Sequence, residues 1–225
     1  MQLYIGNKNY SSWSLRPWLL MRHASIAFDE VPLRLSFEAG SPFKHALAAV
    51  APSGKVPVLV DDGFAVWDTL AIAEYLAEKF ADKQLWPADA KARARARSLC
   101  AEMHSGFSAL RNPFPMNIEA ALPEVGARLL RDDAAVAADL ARINAMWQQQ
   151  LSEPGGPFLF GAFSIADAYF APVVMRIRSY ALPVPARVGA YVECIAALPA
   201  MQQWTQAALA EHDFLPFDEP YRSQA

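Results

Sequence analysis

The apolar positions of the first eighty residues change period several times. Leu3-Tyr4-Ile5-Gly6 is a short β-rich run, and Leu15–Ala24 is apolar at helical spacing behind the serines at 11, 12 and 14. Hydroxyls there satisfy the free N–H groups of a first helical turn, so the segment predicts strand, loop and helix. Val31, Leu33, Leu35 and Phe37 alternate and predict a second strand over 31–37 with these four on one face. Phe43–Val50 predicts a short helix, and Val56-Pro57-Val58-Leu59-Val60 a buried strand. Asp61-Asp62-Gly63 has turn chemistry and joins that strand to Phe64-Ala65-Val66-Trp67 as a hairpin. From Thr69 to Phe80, Ile72, Ala73, Leu76 and Phe80 form one helical stripe, which completes a βαβαββα order.

Periodicity lapses over 81–89, where Asp82, Pro87 and Asp89 fall, and this predicts a linker between a domain over 1–80 and a second over 90–225. In the second domain no strand pattern persists. Ala90–Leu110, Pro123–Leu151, Ile165–Tyr180, Arg187–Leu198 and Met201–Glu211 are rich in Ala and Leu at helical spacing, and predict an all-helical fold. The prolines at 113, 115, 123, 154, 157, 183, 185 and 199 fall between or at the ends of these segments, where they disturb a helix least.

Composition narrows the class of protein. With 54% hydrophobic and 12% aromatic residues against 19% charged, the 225-residue chain can bury enough apolar surface to offset its folding entropy, which excludes disorder. A net charge of -3 offers no field to attract nucleic acid or an anionic membrane, so partners are expected in pockets. Apolar runs such as Tyr169–Met175 fall short of the ~18 residues that cross a bilayer. Asn7, Lys8 and Asn9 stand where a signal peptide needs an apolar core, which leaves a cytoplasmic address as the expectation. Cys100 and Cys194 read as small hydrophobes in a reducing compartment.

Three segments carry candidate chemistry. Tyr10-Ser11-Ser12-Trp13-Ser14-Leu15-Arg16 lies between the first strand and first helix, and has more hydroxyls than one N-cap needs. A hydroxyl at a helix N-terminus can donate to an anion such as a thiolate, lowering the thiol pKa and raising the supply of nucleophile at neutral pH. Ser53-Gly54-Lys55-Val56-Pro57-Val58 opens a buried strand with proline; with a cis Val56-Pro57 bond, the Val56 N–H and C=O would be offered to an extended peptide-like ligand. Trp67-Asp68-Thr69 opens a helix with an acid and a hydroxyl. Either can cap that helix, and together they suit a ligand bearing both a carboxylate and an ammonium.

In this order and on this frame, the three segments resemble the glutathione transferase superfamily across essentially the whole chain. Ser11-Ser12-Trp13-Ser14-Leu15-Arg16 is similar to the serine motif of zeta- and theta-like members, Lys55-Val56-Pro57 to the cis-proline segment, and Asp68-Thr69 to the pair that holds the γ-glutamyl group. The resemblance implies a thioredoxin-like N-terminal domain followed by a helical one. It implies glutathione as co-substrate, Ser11 as the thiolate's hydroxyl donor with Ser12 the next candidate, and Tyr10 as a lesser rival. It also implies Val56 on the cysteinyl backbone, with Pro57 beside it, and Lys55 and Lys44 toward the glycyl carboxylate. The activity implied is a serine-type transferase directing the thiolate at a hydrophobic electrophile. The alternatives on the same fold are a glutathione-dependent isomerase, peroxidase or dehalogenase, or a binding protein without catalysis.

Departures from the motif matter too. Trp13 stands where zeta enzymes carry cysteine, which weighs against their isomerase reaction, and no cysteine lies in the first loop to form a mixed disulfide. In the helical half, Cys100, His104, Phe107 and Arg111 share one face of the helix predicted over 90–110. In relatives that helix borders the electrophile pocket, so His104, Phe107 and Arg111, with Trp13, are its expected wall. Ser164 and Asp167 fit a capping box behind Phe163 and read as structural. Without Cys-x-x-Cys, His-Glu-x-x-His or Gly-x-Gly-x-x-Gly, neither a metal nor a nucleotide is expected. A two-fold homodimer is expected from the resemblance and from the prevalence of such assemblies.

Overall fold

In the computed structural model, residues 1–152 and 156–222 are described; Pro154, one of the prolines expected between helices, lies outside them. The N-terminal part runs β1 (Gln2–Ile5), α1 (Ser12–His23), β2 (Asp29–Pro32), α2 (Pro42–Ala48), β3 (Val58–Asp61), β4 (Phe64–Trp67) and α3 (Thr69–Lys79). The sheet order is β2-β1-β3-β4, with β1 parallel to β2 and antiparallel to β3, and β3 antiparallel to β4. This is the expected βαβαββα frame. Alternation along the strands divides two layers: Leu3, Ile5 and Leu59 enter the main core, while Val58 joins Phe43 and Leu47 under α2, with Tyr4 against them.

After a 3-10 turn at Ala81–Lys83, the chain is helical: α4 (Ala90–Ser105), α5 (Ser108–Arg111), α6 (Pro123–Asp132), α7 (Ala134–Ser152), α8 (Ile165–Ser179), α9 (Ala186–Ala196) and α10 (Pro199–Leu209). The central helix α8 is buried almost throughout and packs on α1, α4 and α9. Ser164 and Asp167 form the expected capping box at its start. The Asp167 carboxylate also accepts from Leu159 N–H and Tyr191 OH, both at 3.1 Å, and burial pushes its pKa up to about 6. One continuous core runs from Leu3 and Leu15 through Trp147 and Trp204, so the two parts of the chain share a single apolar interior. Among the described residues, no helix is long and apolar enough to cross a membrane.

Three expected elements are corrected. The second strand stops at Pro32 rather than Phe37, because after Leu33 N–H donates to Ile5 O at 2.8 Å, Asn7 captures the Leu35 N–H at 2.9 Å and draws the chain off the sheet. Phe37 is consequently 70% exposed, packed on Phe217 rather than in line with Val31. The helix expected over 90–110 breaks after Ser105, where Gly106 and Phe107 intervene, Phe107 in the left-handed region at φ 58°. Arg111 folds back to donate to the carbonyls of Met103, His104 and Gly106 at 3.2 to 3.4 Å, closing the end of α4. The helix expected over 123–151 divides at Asp133, whose carboxylate accepts from the N–H groups of Ala135 and Val136 and so starts α7 afresh.

Candidate active site

A cavity of about 560 Å³ lies at the seam between the two parts of the chain. Ser53, Lys55, Val56 and Pro57 line it from the loop entering β3, Trp67, Asp68 and Thr69 from the β4–α3 junction, Trp13 from α1, and His104 from α4. The Val56–Pro57 peptide is cis. Asp68 holds φ 74°, a left-handed conformation that a non-glycine residue adopts only where its surroundings enforce it, and such strain gathers at functional sites. One of its oxygens caps α3 by accepting from Leu70 N–H at 2.8 Å and Ala71 N–H at 3.5 Å; the other lies 3.4 Å from His104 Nε2.

Behind the wall runs a chain of polar contacts. His104 Nδ1 is 3.0 Å from Tyr169 OH, Tyr169 OH is 2.7 Å from Thr69 Oγ1, and Thr69 Oγ1 accepts from Arg16 Nη1 at 3.4 Å. The Arg16 guanidinium sits over the rings of Trp13 and Tyr169 at 4.1 and 4.2 Å, a double cation–π stack. Its Nε has no partner, and burial pushes its pKa down to about 10. Burial likewise pushes Tyr169 up to about 12. Arg111 stacks on Trp13 at 5.0 Å, outside the wall, its pKa lowered by burial.

The expected site residues divide as follows. Lys55, Val56, Pro57, Asp68, Thr69, Trp13 and His104 share the cavity. Lys44 adjoins it, donating Nζ to Gly54 O at 3.3 Å. Ser11 precedes α1 and is 7% exposed; its Oγ donates to Ser14 Oγ at 2.7 Å, and Ser14 Oγ accepts Gly6 N–H at 3.1 Å. Ser12, half-buried, opens α1, and neither serine belongs to the cavity wall. Phe107 is buried beyond the end of α4 and Cys100 is wholly in the core, so the single helical face expected for Cys100, His104, Phe107 and Arg111 does not form. Tyr10 donates its hydroxyl to Glu219 at 2.6 Å, and burial together with that bond holds its pKa well above that of a free phenol. Sequence reasoning missed Ser53, Trp67, Arg16 and Tyr169 as site residues. For the first two the signal was their place beside Lys55 and Asp68; Tyr169 is hidden in an unbroken apolar run. Among the described residues, no group of His, Cys, Asp and Glu could hold a metal ion.

A mixed four-stranded sheet joined to an all-helical part, with a polar cavity at their seam, defines the thioredoxin-like class with an appended helical domain. The chain matches the glutathione S-transferase N-terminal domain over residues 10–79 and the glutathione S-transferase C-terminal domain over residues 92–207. It belongs to the glutathione S-transferase family. A glutathione transferase homologue from Burkholderia gl BGR1, solved with bound glutathione, is 25% identical with a TM-score of 0.69, covering 94% of this chain and 98% of that one. A bacterial zeta-class maleyl pyruvate isomerase has the same fold, with a TM-score of 0.68 at 21% identity, over 96% and 100% of the two chains. A probable maleylacetoacetate isomerase of Caenorhabditis elegans is 36% identical over 110 residues, 49% of each chain. The chain thus spans about half the length of the curated relatives it matches.

Proposed function

We propose that this chain is a glutathione-dependent isomerase, acting on a conjugated double bond held in the cavity beside the tripeptide. The observation that carries the reading is that one cavity gathers Lys55, Val56, Asp68 and Thr69 with Trp13 and His104. Glutathione carries an ammonium and two carboxylates, and the donor set suits it. Asp68 takes the ammonium, the start of α3 and Lys55, with Lys44 behind it, take the carboxylates, and Val56 offers its backbone to the cysteinyl unit. The Thr69 hydroxyl is engaged by Tyr169 and Arg16, so its part is its backbone at the helix start. A volume of about 560 Å³ accommodates the tripeptide and a small co-substrate.

When bound, glutathione supplies a sulfur nucleophile that adds reversibly to an activated alkene, leaving a single bond that can rotate. The protein binds, orients and favours the thiolate, with Ser11 at the start of α1 as the hydroxyl donor and Ser12 as its alternate. For Ser11 this requires its hydroxyl to turn from Ser14. The isomerase reading draws support from relatives that bear the name maleylacetoacetate isomerase. The rings of Trp13 and Trp67 on the wall favour a second reading, conjugation of glutathione to a flat hydrophobic electrophile.

Maleylacetoacetate and a chlorinated nitroaromatic, each offered with glutathione, separate the two. Turnover of the first with glutathione recovered unchanged is the expected result; consumption of glutathione on the second alone overturns the isomerase reading. Ser11→Ala removes one hydrogen bond to a charged group, about 1.5–3 kcal/mol, so kcat should fall between roughly 10- and 150-fold while glutathione affinity stays within a few fold. The same loss in Ser12→Ala, with Ser11→Ala unaffected, moves the role to Ser12.

A further inference from the structure

The contacts behind the cavity wall have a direction. Arg16 can only donate and the Asp68 carboxylate can only accept; a hydrogen-bonded series runs from Arg16 through Thr69 and Tyr169 to His104, and His104 Nε2 faces the carboxylate at 3.4 Å. With a neutral imidazole, the Asp68 contact requires the proton on Nε2, which leaves Nδ1 to accept from Tyr169. The Tyr169 oxygen then accepts from Thr69, and the Thr69 oxygen accepts from Arg16. Each link then runs in one sense, so the tautomer that Asp68 favours in the cavity-facing imidazole on α4 is matched, three contacts away, by a buried cation on α1 that donates into the far end of the series.

We propose that His104 is the proton-transfer residue of this site, acting through Nε2, and that Tyr169 is its positioning residue. The imidazole is one-third exposed to the cavity, is held edge-on to Trp13 at 5.1 Å, and is the side chain suited to exchanging protons near neutrality. This proposal rests on the isomerase reading, in which the glutathione ammonium takes Asp68 and releases Nε2–H from its 3.4 Å contact. The sulfur–carbon bond then forms at one alkene carbon, the π electron pair moves to the conjugated carbonyl oxygen, and His104 passes the Nε2 proton to that oxygen while Nδ1 takes the Tyr169 hydroxyl proton, so the ring stays neutral and the charge comes to rest on the Tyr169 oxygen beside Thr69 and Arg16. After rotation the proton returns to Nε2, Nδ1 gives its proton back to Tyr169, the pair returns to the carbon–carbon bond, and the sulfur leaves with its electrons; nothing is oxidised or reduced. The charged and titratable groups facing His104 are Asp68 from α3, Tyr169 from α8, and Arg111 from α5 on its carbonyl. Lys55 lies on the same cavity wall, Arg16 behind Thr69, and buried Cys100 one turn back on α4.

The test has one arm without glutathione and one with it. In glutathione-free protein, nitrogen NMR at neutral pH should find His104 protonated at Nε2 and bare at Nδ1, and Tyr169→Phe should yield a mixture of tautomers. With maleylacetoacetate, His104→Gln should lower kcat by roughly 100-fold or more and change the dependence of kcat on pH. Tyr169→Phe, which removes the proton supply to Nδ1, should lower kcat by roughly 10-fold or more. Calorimetry should find the glutathione Kd of both variants within about three-fold of wild type, which also shows that they fold. A proton on Nδ1 in the wild type, or a His104→Gln enzyme within three-fold of wild-type kcat and with the same pH profile, overturns the proposal. A wild type that fails to bind glutathione overturns the functional reading instead, and the calorimetry alone reveals it.

Discussion

Arg16 is a cation that the fold holds at a loss. It is 3% exposed and, among the described residues, has no carboxylate partner and makes one long hydrogen bond, to Thr69 at 3.4 Å. Desolvation moves its pKa from 12.5 to about 10, with nearby Arg111 pressing the same way and Tyr169 opposing, a penalty on the charged form of about 3 kcal/mol. The cation–π stacks on Trp13 and Tyr169 return roughly 0.5–1 kcal/mol each. Arg16→Met keeps the bulk of the stem and removes the charge, so it should stabilise the protein by about 1–2 kcal/mol. For a chain of this length that is a rise in Tm of roughly 2–8 °C, read by calorimetry or circular dichroism. The sign against pH follows from linkage. A base whose folded pKa is depressed carries its full penalty below that value and sheds it only as pH rises from about 10 toward 12.5, so the gain should be flat between pH 6 and 9. The same variant loses the donor that starts the series to His104, so turnover should fall as stability rises. A variant melting several degrees below wild type would mean that stacking, not charge burial, dominates at Arg16 and would refute the reasoning.

Asp68→Ala should weaken glutathione binding, measured by calorimetry, and a glutathione analogue lacking the γ-glutamyl amine should bind wild type and variant about equally; equal losses for both ligands would mean that Asp68 only caps α3, a role worth about 1 kcal/mol. Cys100 is wholly buried, with a thiol that burial raises far above its ordinary range, so iodoacetamide should label only Cys194 in the folded protein, as mass spectrometry of the peptides would reveal. Sedimentation should give about twice the 24.8 kDa chain mass, through the exposed faces of α3 and α4 with Phe64 and Trp67 beside them on the edge strand; a fully active monomer would exclude this assembly.

The element order was legible because β1, β3 and β4 are short, largely apolar runs, the last two joined by turn residues at Asp61-Asp62-Gly63, while β2, Asp29–Pro32, opens on two acids that no strand pattern marks. Element ends were less so. Alternation continues past Pro32 in the sequence, but sheet hydrogen bonding goes only as far as Leu33 N–H on Ile5 O, since Asn7 takes the Leu35 N–H. Helical spacing likewise runs through Gly106 and Phe107, and only the fold-back of Arg111 onto three carbonyls stops α4 there. Asp132-Asp133 contained an N-cap inside a run of alanines that otherwise reads as continuous helix.

The site divides along a similar line, between what neighbours in sequence place and what distant segments place. Lys55, Val56, Asp68 and Thr69 lie in turns whose local chemistry announces them, and they meet in one cavity. Tyr169 meets Thr69 from 100 residues away, out of a helix apolar on nearly every face, so no period distinguishes it. The loop before Ser11 is positioned from further still. Glu211 accepts from the N–H groups of Lys8 and Asn9 at 2.6 and 3.2 Å, Trp204 Nε1 donates to Lys8 O at 2.9 Å, and Asp213 accepts from Asn7 Nδ2 at 3.1 Å. Residues around position 210 therefore hold the backbone that presents the serine motif, with burial raising the Glu211 pKa and the N–H groups of Lys8 and Asn9 opposing that rise. A motif reading places the serines ahead of a helix over 15–24; the helix begins at Ser12, within the cluster, and Ser11 precedes it without a side-chain cap. The direction in which its hydroxyl can point depends on Ser14 within the helix, and the height of the loop depends on Glu211 at the far end of the chain.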